Sequence, residues 1–150
     1  MSIIFYITAQ TTRPTGSSGR RQTTVLKGRR ILTYALWLTA FEVGPDGSLT
    51  DRRPFAEIEG RYPDGICLDA EGAVWVADPR GNEPLRVFEG GRIDRRISTG
   101  AQGAFACMLG GGRRRTRFVC TNTDSGPETA QRKEGRIETL RVAVTGAGLP

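Results

Sequence analysis

The sequence predicts an all-β fold built from antiparallel, four-stranded units. Glycine and proline are frequent, at 20 and 8 of 150 residues, whereas aromatic residues make up only 7%. This composition is typical of a turn-rich β protein rather than a helical one. Short apolar runs are separated by turns that contain Gly or Asp, which is the pattern of successive β-hairpins.

A sequence repeat supports the same fold class. Three landmarks recur in the same order along the chain, at separations of 43, 40 and 43 residues. They are Asp51 and Asp94, Cys67 and Cys107, and Trp75 and Phe118. A period of about 40–45 residues with four strands per unit is typical of β-propeller blades. The alternative is chance similarity among hairpins. The shared order of the three landmarks makes this alternative less favourable.

We interpret residues 1–35 as an irregular leader, disordered or unrelated to the rest of the chain. Residues 11–24 are rich in Thr, Ser, Gly and Arg and offer little to bury. Residues 1–41 contain six basic residues and no acid, so the net charge of +6 belongs to this segment. It is either a genuine flexible leader or unrelated sequence ahead of a truncated domain. We favour the second interpretation, because recognisable sequence begins abruptly near Leu36.

The remaining residues, 36–150, predict a series of strands. Residues 36–43 and 48–58 form a first hairpin around the Asp46-Gly47 turn. Residues 66–68 and 73–77 form a central hairpin around 69–72, and both strands are apolar on both faces, which predicts burial on both sides. Further strands are predicted at 85–88, 92–98, 104–109, 116–120 and 137–144.

The absence of histidine excludes several kinds of site. Ser-His-Asp and Cys-His catalysis and the usual His-bearing zinc sites are ruled out. A metal would need oxygen ligands, which suit calcium, magnesium or manganese. The three cysteines, Cys67, Cys107 and Cys120, lie in apolar runs, so we expect buried free thiols in a reducing compartment. The lack of a secretory signal or a membrane-length apolar run likewise predicts a cytoplasmic protein.

Asp64 is the main candidate for chemistry. It lies between Pro63 and Gly65, just before the central hairpin, so its carboxylate is placed at the mouth of a buried strand. Such a carboxylate is either a turn-maker or a ligand. Spacing alone favours the turn, because most Asp-Gly pairs are turns.

A family resemblance favours the interpretation of Asp64 as a ligand. Residues 63–77, Pro-Asp-Gly-Ile-Cys-Leu-Asp-Ala-Glu-Gly-Ala-Val-Trp-Val-Ala, resemble a nearly continuous motif of the senescence marker protein (regucalcin)/gluconolactonase family. The resemblance implies a six-bladed β-propeller in which Asp64 binds a divalent metal (Ca, Zn, Mn or Mg) in the central channel. It also makes Asp64 the candidate general base of a metal-dependent lactonase.

The resemblance covers only the C-terminal part of a family member. At about 43 residues per blade, residues 36–150 hold fewer than three blades, which predicts a partial propeller. The other metal ligands of the family, a Glu and an Asn, have no match in this chain. Since oxygen sites need several ligands, we expect weak or no metal binding and activity from this chain alone. An incomplete ring of blades would also expose a strand edge through which the chain could self-associate.

Other polar residues are given structural roles. Asp69 and Glu71 are predicted to be solvated turn residues. Asp78 is predicted to cap a strand end, the alternative being a position near the channel. Asn122 and Asp124 are assigned to a loop, and Trp75 to packing between blades. Residues 113–115 with Arg117 are basic, but they lie in a Gly-rich turn without interleaved aromatics, so we expect a solvated turn and not a nucleic-acid interface.

Two functions remain open. The first is a metal-dependent sugar-lactone hydrolase, here as a truncated chain, with a small-molecule lactone as its substrate. The second is a non-catalytic β-repeat interaction module whose basic N-terminal arm binds nucleic acid or another acidic surface.

Overall fold

A computed structural model describes the backbone of residues 2–9, 23–26, 29–32 and 36–147, and the side chains of residues 37–147. The described residues form twelve strands, one 3₁₀ turn at Glu89–Gly91 and one short α-helix. The strands are β1 (Ser2–Ala9), β2 (Thr23–Leu26), β3 (Arg29–Leu32), β4 (Leu36–Val43), β5 (Leu49–Glu57), β6 (Ile66–Leu68), β7 (Val74–Asp78), β8 (Glu83–Val87), β9 (Ile93–Arg96), β10 (Gly103–Gly110), β11 (Thr116–Asn122) and β12 (Arg136–Arg141), and the helix is α1 (Thr129–Arg132). Among these described residues, no helix is long and apolar enough to cross a bilayer.

The strands form three sheets and a separate hairpin. The first sheet has the order β1-β4-β5, the second β6-β7-β8-β9 and the third β10-β11-β12, while β2 pairs with β3. All of these pairings are antiparallel. The predicted all-β, antiparallel class is therefore confirmed, and the second sheet has the four-stranded form expected of a blade.

The N-terminal residues contribute strands to this arrangement. Strand β1 pairs with β4 from Ser2 opposite Val43 to Ala9 opposite Leu36. Strands β1, β2 and β3 all lie within the predicted leader, 1–35, and the rest of that segment lies outside the described residues. The assignment of 1–35 as a separate leader stays a prediction.

The predicted hairpin turns are present. At the first, Gly47 has a φ of +82°, and the backbone N–H of Ser48 donates to Asp46 Oδ1 over 3.0 Å. At the central hairpin, Gly72 has a φ of +78° and its N–H donates to the carbonyl oxygen of Asp69 over 3.1 Å. Glycine adopts this left-handed conformation without the steric cost that a side chain would add.

Strand β7 is the centre of the core because it is buried on both faces. Val74 and Val76 pack in a cluster with Leu38 of the first sheet. Trp75 and Ala77 pack in a second cluster that includes residues of the third sheet, such as Val119. Because successive side chains of a strand point to opposite faces, β7 joins the two clusters. The predicted burial on both sides is confirmed for β7, as is the packing role of Trp75. In β6 only Cys67 is buried, while Ile66 and Leu68 are partly buried.

The third sheet has one buried face and one exposed face. Along β11, Arg117, Val119 and Thr121 are buried, whereas Cys120 between them is exposed. On the neighbouring strand, Met108 is 52% exposed. The prediction that all three cysteines are buried is therefore wrong for Cys120, since it lies on the face opposite Val119.

Candidate functional site

Asp64 lies where the second and third sheets meet. Its backbone N–H donates to the carbonyl oxygen of Ala77, at the end of β7, over 2.9 Å. The N–H of the next residue, Gly65, donates to the carbonyl oxygen of Phe105 on β10 over 2.8 Å. The backbone at 64–65 is therefore bound to both sheets, while Asp64 itself remains exposed.

The carboxylate of Asp64 differs from the other aspartates in its hydrogen bonding. Within residues 37–147 it accepts no hydrogen bond, whereas every other aspartate accepts at least one. These are Asp46, Asp51, Asp69, Asp78, Asp94 and Asp124. A turn-making aspartate accepts from the backbone two residues later, as Asp46 does from Ser48. The Pro-Asp-Gly aspartate makes no such bond, so its carboxylate is free for another ligand.

Gly65 allows the close approach of β6 and β10 that positions Asp64. A Cβ atom at position 65 would lie 2.7 Å from the Cα of Ala106 and 3.1 Å from the carbonyl oxygen of Phe105. Both are backbone atoms, which cannot rotate away as a side chain would. A side chain at position 65 would therefore push β6 and β10 apart.

Gly65→Ala is expected to lower the free energy of unfolding by about 1–3 kcal/mol, the usual cost of forcing extra volume into a packed region. The matched control is Gly112→Ala, because a Cβ there would meet no atom within 4 Å. Urea unfolding of both variants measures the difference. Equal stability of the two variants would show that the β6–β10 approach is not tightly packed.

The described residues do not fit a tightly held metal ion. Among residues 37–147, no three Asp, Glu or Cys side chains come together in a way that could hold one. Asp64 is therefore not part of a cluster of three acidic or thiol side chains among these residues. Calcium and magnesium sites need several oxygen ligands, so Asp64 alone would leave most of the coordination to water.

Asp78 acts as a cap, as predicted. It is 1% exposed, and its Oδ1 accepts hydrogen bonds from the backbone N–H groups of Arg80 and Gly81. Its Oδ2 accepts a hydrogen bond from Arg61 Nη1 over 3.2 Å, and the same nitrogen donates a hydrogen bond to Glu83 Oε1 over 2.6 Å. Burial alone would lower the pKa of Arg61, but these hydrogen bonds raise it above its ordinary value. The carboxylates of Asp78 and Glu83 are thus both hydrogen-bonded within the protein.

The prediction for Asp69 is wrong. The residue is 1% exposed and accepts hydrogen bonds from the backbone N–H groups of Glu71 and Ala73. Its Oδ2 also accepts from Trp75 Nε1 over 3.1 Å and from Arg86 Nε over 2.7 Å. Asp69 is buried because it is the counter-charge of a buried arginine inside the second sheet.

Arg86 connects this buried carboxylate to the surface. It also donates to Asp94 over 2.8 Å and to Glu71 over 2.7 Å. Burial would lower the pKa of Arg86, but the hydrogen bonds to Asp69, Asp94 and Glu71 raise it above its ordinary value. Glu71 has a side chain that is 59% exposed, which confirms the solvated position predicted for it.

A groove on the outer face of the third sheet contains the other polar candidates. It has a volume of about 420 Å³ and is lined by residues that include Phe105, Cys120, Asn122, Asp124 and Arg136. Asn122 and Asp124 accept hydrogen bonds from the N–H groups of the residues that follow them. The predicted loop position is confirmed for Asp124, whereas Asn122 is the last residue of β11 and pairs with Gly103. Asp64 does not line this groove.

The basic stretch after β10 divides into two environments. Arg113, Arg114 and Arg115 are exposed, as predicted. Arg117 is 2% exposed, with its guanidinium 5.0 Å from the centre of the Trp75 ring. The prediction of a solvated turn is therefore wrong for Arg117, because it is the second residue of β11 and shares its buried face with Val119.

Comparison with known proteins identifies the family. Residues 32–123, more than half of the chain, match the family described as SMP-30/Gluconolactonase/LRE-like region. The chain belongs to this family. The resemblance found in residues 63–77 is therefore confirmed, and the three sheets correspond to blades of a partial β-propeller.

A solved member of similar fold is a luciferin-regenerating enzyme. It is 19% identical, with a TM-score of 0.55 over 76% of this SMP-30/gluconolactonase-like chain. The matched part is 38% of the luciferin-regenerating enzyme. At this identity the likeness shows the fold alone, and the chain spans well under half of that solved structure.

Proposed function

We propose that this chain supplies Asp64 as the general base of a sugar-lactone hydrolase. Family membership supports the reaction class, and the free carboxylate of Asp64 supports the residue. The observation that carries the proposal is the contrast with the other aspartates, whose carboxylates are all hydrogen-bonded within residues 37–147. A general base must have a lone pair that faces its substrate or a water molecule.

The chemistry assigned to Asp64 is proton transfer. Its carboxylate accepts a proton from a water molecule, and the water oxygen attacks the lactone carbonyl carbon. The ring C–O bond then breaks, and the alkoxide that leaves takes the proton back from Asp64. The product is the open-chain hydroxy acid, so that one water is consumed and Asp64 is regenerated.

The family resemblance also implies a divalent metal in such a site. Since residues 37–147 bring no three acidic or thiol side chains together, the proton transfer is assigned to the carboxylate of Asp64 itself. Within the proposal, a complete metal site needs further ligands beyond Asp64. Calorimetric titration with calcium, zinc and manganese tests this for the wild type and for Asp64→Ala.

Weak lactone hydrolysis is the expected result for the isolated chain. Any rate above spontaneous hydrolysis should fall in Asp64→Asn, because a positioned general base contributes on the order of 10²–10⁴-fold. The matched control is Asp46→Asn, which alters an Asp-Gly pair that only forms a turn. Hydrolysis is followed by the acid released from a sugar lactone.

Two outcomes would contradict this account. A rate that survives in Asp64→Asn would remove Asp64 from the reaction. Turnover of the wild-type chain at the level of ordinary enzymes would show that the site is more complete than Asp64 alone. Tight metal binding that is lost in Asp64→Ala would lead to the same conclusion about the site.

A different measurement distinguishes the alternative, a non-catalytic module with a basic N-terminal arm, from a lactone hydrolase. Binding to nucleic acid through the arm would weaken steeply as salt increases, because counterions are released from the phosphates. Deleting residues 1–35 should then abolish it. Binding that persists after this deletion would exclude the arm as its cause.

A further inference from the structure

The outer face of the third sheet is an apolar surface that no other sheet covers within the described part of the chain. Phe118 and Cys120 lie on this face of β11. Met108 of β10 pairs with the first of them, and Ile137 of β12 pairs with the second. Met108 is 52% exposed, Ile137 is 70% exposed and Cys120 is also exposed. These residues take no part in the chemistry proposed for Asp64.

The corresponding face of the second sheet is covered by a sheet. Trp75 lies 43 residues before Phe118, at the same place in the repeat. Ala77 lies at the same distance before Cys120. Trp75 is 1% exposed and Ala77 is 0% exposed, because the third sheet packs on them. The repeat therefore gives the outer face of the third sheet the position of a sheet-packing surface.

The outer face carries no charge, which allows two identical faces to pack together. Its paired positions are Ala106, Cys120 and Ile137 in one row and Met108, Phe118 and Thr139 in the next. All six side chains are uncharged. Sheets pack face to face through side chains of this kind, as the second and third sheets already do in this chain.

The charges at the two ends of the third sheet favour one orientation of such a pair. The turn between β10 and β11 contains the exposed arginines 113–115. The opposite end has both signs of charge, from the exposed residues Asp124, Glu128, Arg132, Lys133, Glu134 and Arg136. Two arginine turns placed side by side would repel each other. A twofold axis that runs across the strands avoids this, because it places each arginine turn against the mixed-charge end of the partner.

We propose that the outer face of the third sheet is the contact surface of a homodimer. Two copies of the chain pack sheet against sheet about a twofold axis, and the same residues contribute from each copy. Such a self-complementary interface is the commonest arrangement of soluble oligomers. It differs from association through a strand edge, because side chains on the face of the sheet make the contact.

The size of the outer face predicts a dimer that dissociates on dilution. Three strands spaced by about 4.8 Å, with the 7 residues of β11 at about 3.4 Å each, give a face of roughly 14 Å by 24 Å, or about 340 Å² per copy. A standard stable interface buries roughly 800 Å² per partner. The contact is therefore smaller than that of a permanent dimer, and the oligomeric state should depend on protein concentration.

Sedimentation velocity of the full chain over a wide concentration range tests the proposal. The wild type should shift from monomer to dimer as its concentration rises. Ile137→Lys should raise the dimer dissociation constant by at least about tenfold, because it places like charges at the contact. Since Ile137 is 70% exposed, this change should preserve folding. The matched control is Leu49→Lys, at a 41% exposed side chain of the first sheet, which should dimerise like the wild type.

Two results of this experiment would overturn the proposal. The first is a wild-type chain that stays monomeric at every concentration. The second is a dimer that Ile137→Lys leaves unchanged, because association would then use another surface, such as the edge strand β12.

The reactivity of Cys120 provides a measurement that requires no substitution in the outer face. Cys67 and Cys107 are buried, so an alkylating reagent should modify Cys120 first. Because the partner copy covers this thiol in the dimer, its alkylation should become slower as the protein concentration rises, as measured by mass spectrometry of the digested chain. In Ile137→Lys the rate should not depend on concentration. A wild-type dimer whose Cys120 reacts as fast as in the monomer would overturn the proposal.

Discussion

Asp69→Ala is expected to lower the free energy of unfolding by about 3–5 kcal/mol, the usual cost of removing one partner of a buried ion pair. The carboxylate accepts hydrogen bonds from two backbone N–H groups, from Trp75 Nε1 and from Arg86 Nε. Its removal leaves the buried Arg86 without its innermost counter-charge and the indole N–H without an acceptor. Chemical denaturation followed by tryptophan fluorescence measures the loss.

Glu71→Ala is the matched control for this change. Glu71 contacts the same guanidinium over 2.7 Å, but its side chain is 59% exposed. An ion pair with one solvated partner contributes little, so we expect a loss of less than about 1 kcal/mol. Similar losses in Asp69→Ala and Glu71→Ala would show that burial does not distinguish the two carboxylates.

The sequence predicted the strands well because the apolar pattern and the turn residues agree. Strand β7 is apolar at successive positions, which predicts burial on both faces, and it packs between two sheets. Gly47 and Gly72 adopt the positive φ values that their turns require. Local chemistry was sufficient for these features, since each depends on residues close together in the chain.

Asp69 was mispredicted because its partner is distant in sequence. An Asp-Ala-Glu-Gly segment resembles a solvated turn, and its burial depends on Arg86, 17 residues further along. A signal was nevertheless present. Arg86 lies between Leu85 and Val87, and a charge within an apolar strand requires a buried partner. Trp75 is opposite Arg86 in the β7–β8 pairing, which directs the guanidinium to the same face as the turn.

Arg117 and Cys120 illustrate the same limitation. Alternation along β11 places Arg117 and Val119 on one face and Cys120 on the other. The sequence alone does not say which face packs against a neighbouring sheet, because both contain apolar residues. For Asp64, likewise, the sequence left a turn and a ligand as alternatives. The absence of a turn hydrogen bond to its carboxylate within residues 37–147 is visible only in the folded chain.

Trp75→Ala is expected to lower the free energy of unfolding by about 3–5 kcal/mol, the cost of deleting a large buried aromatic side chain. Trp75 is 1% exposed and belongs to the cluster between the second and third sheets. Its loss would leave a cavity beside Arg117 and remove the ring face on which that cation lies. The variant should unfold at lower urea concentration than the wild type, as measured by circular dichroism.

Trp75→Phe separates packing from hydrogen bonding in the same position. Phenylalanine keeps most of the apolar volume and the ring face but cannot donate to Asp69 Oδ2. We expect a loss of about 1–3 kcal/mol, the cost of leaving a buried acceptor with one donor fewer. If Trp75→Phe is as unstable as Trp75→Ala, the indole N–H bond, and not the packing of the ring between the sheets, holds this residue in place. If it is as stable as the wild type, the other three donors satisfy Asp69, and the contact between the two sheets depends on ring volume alone.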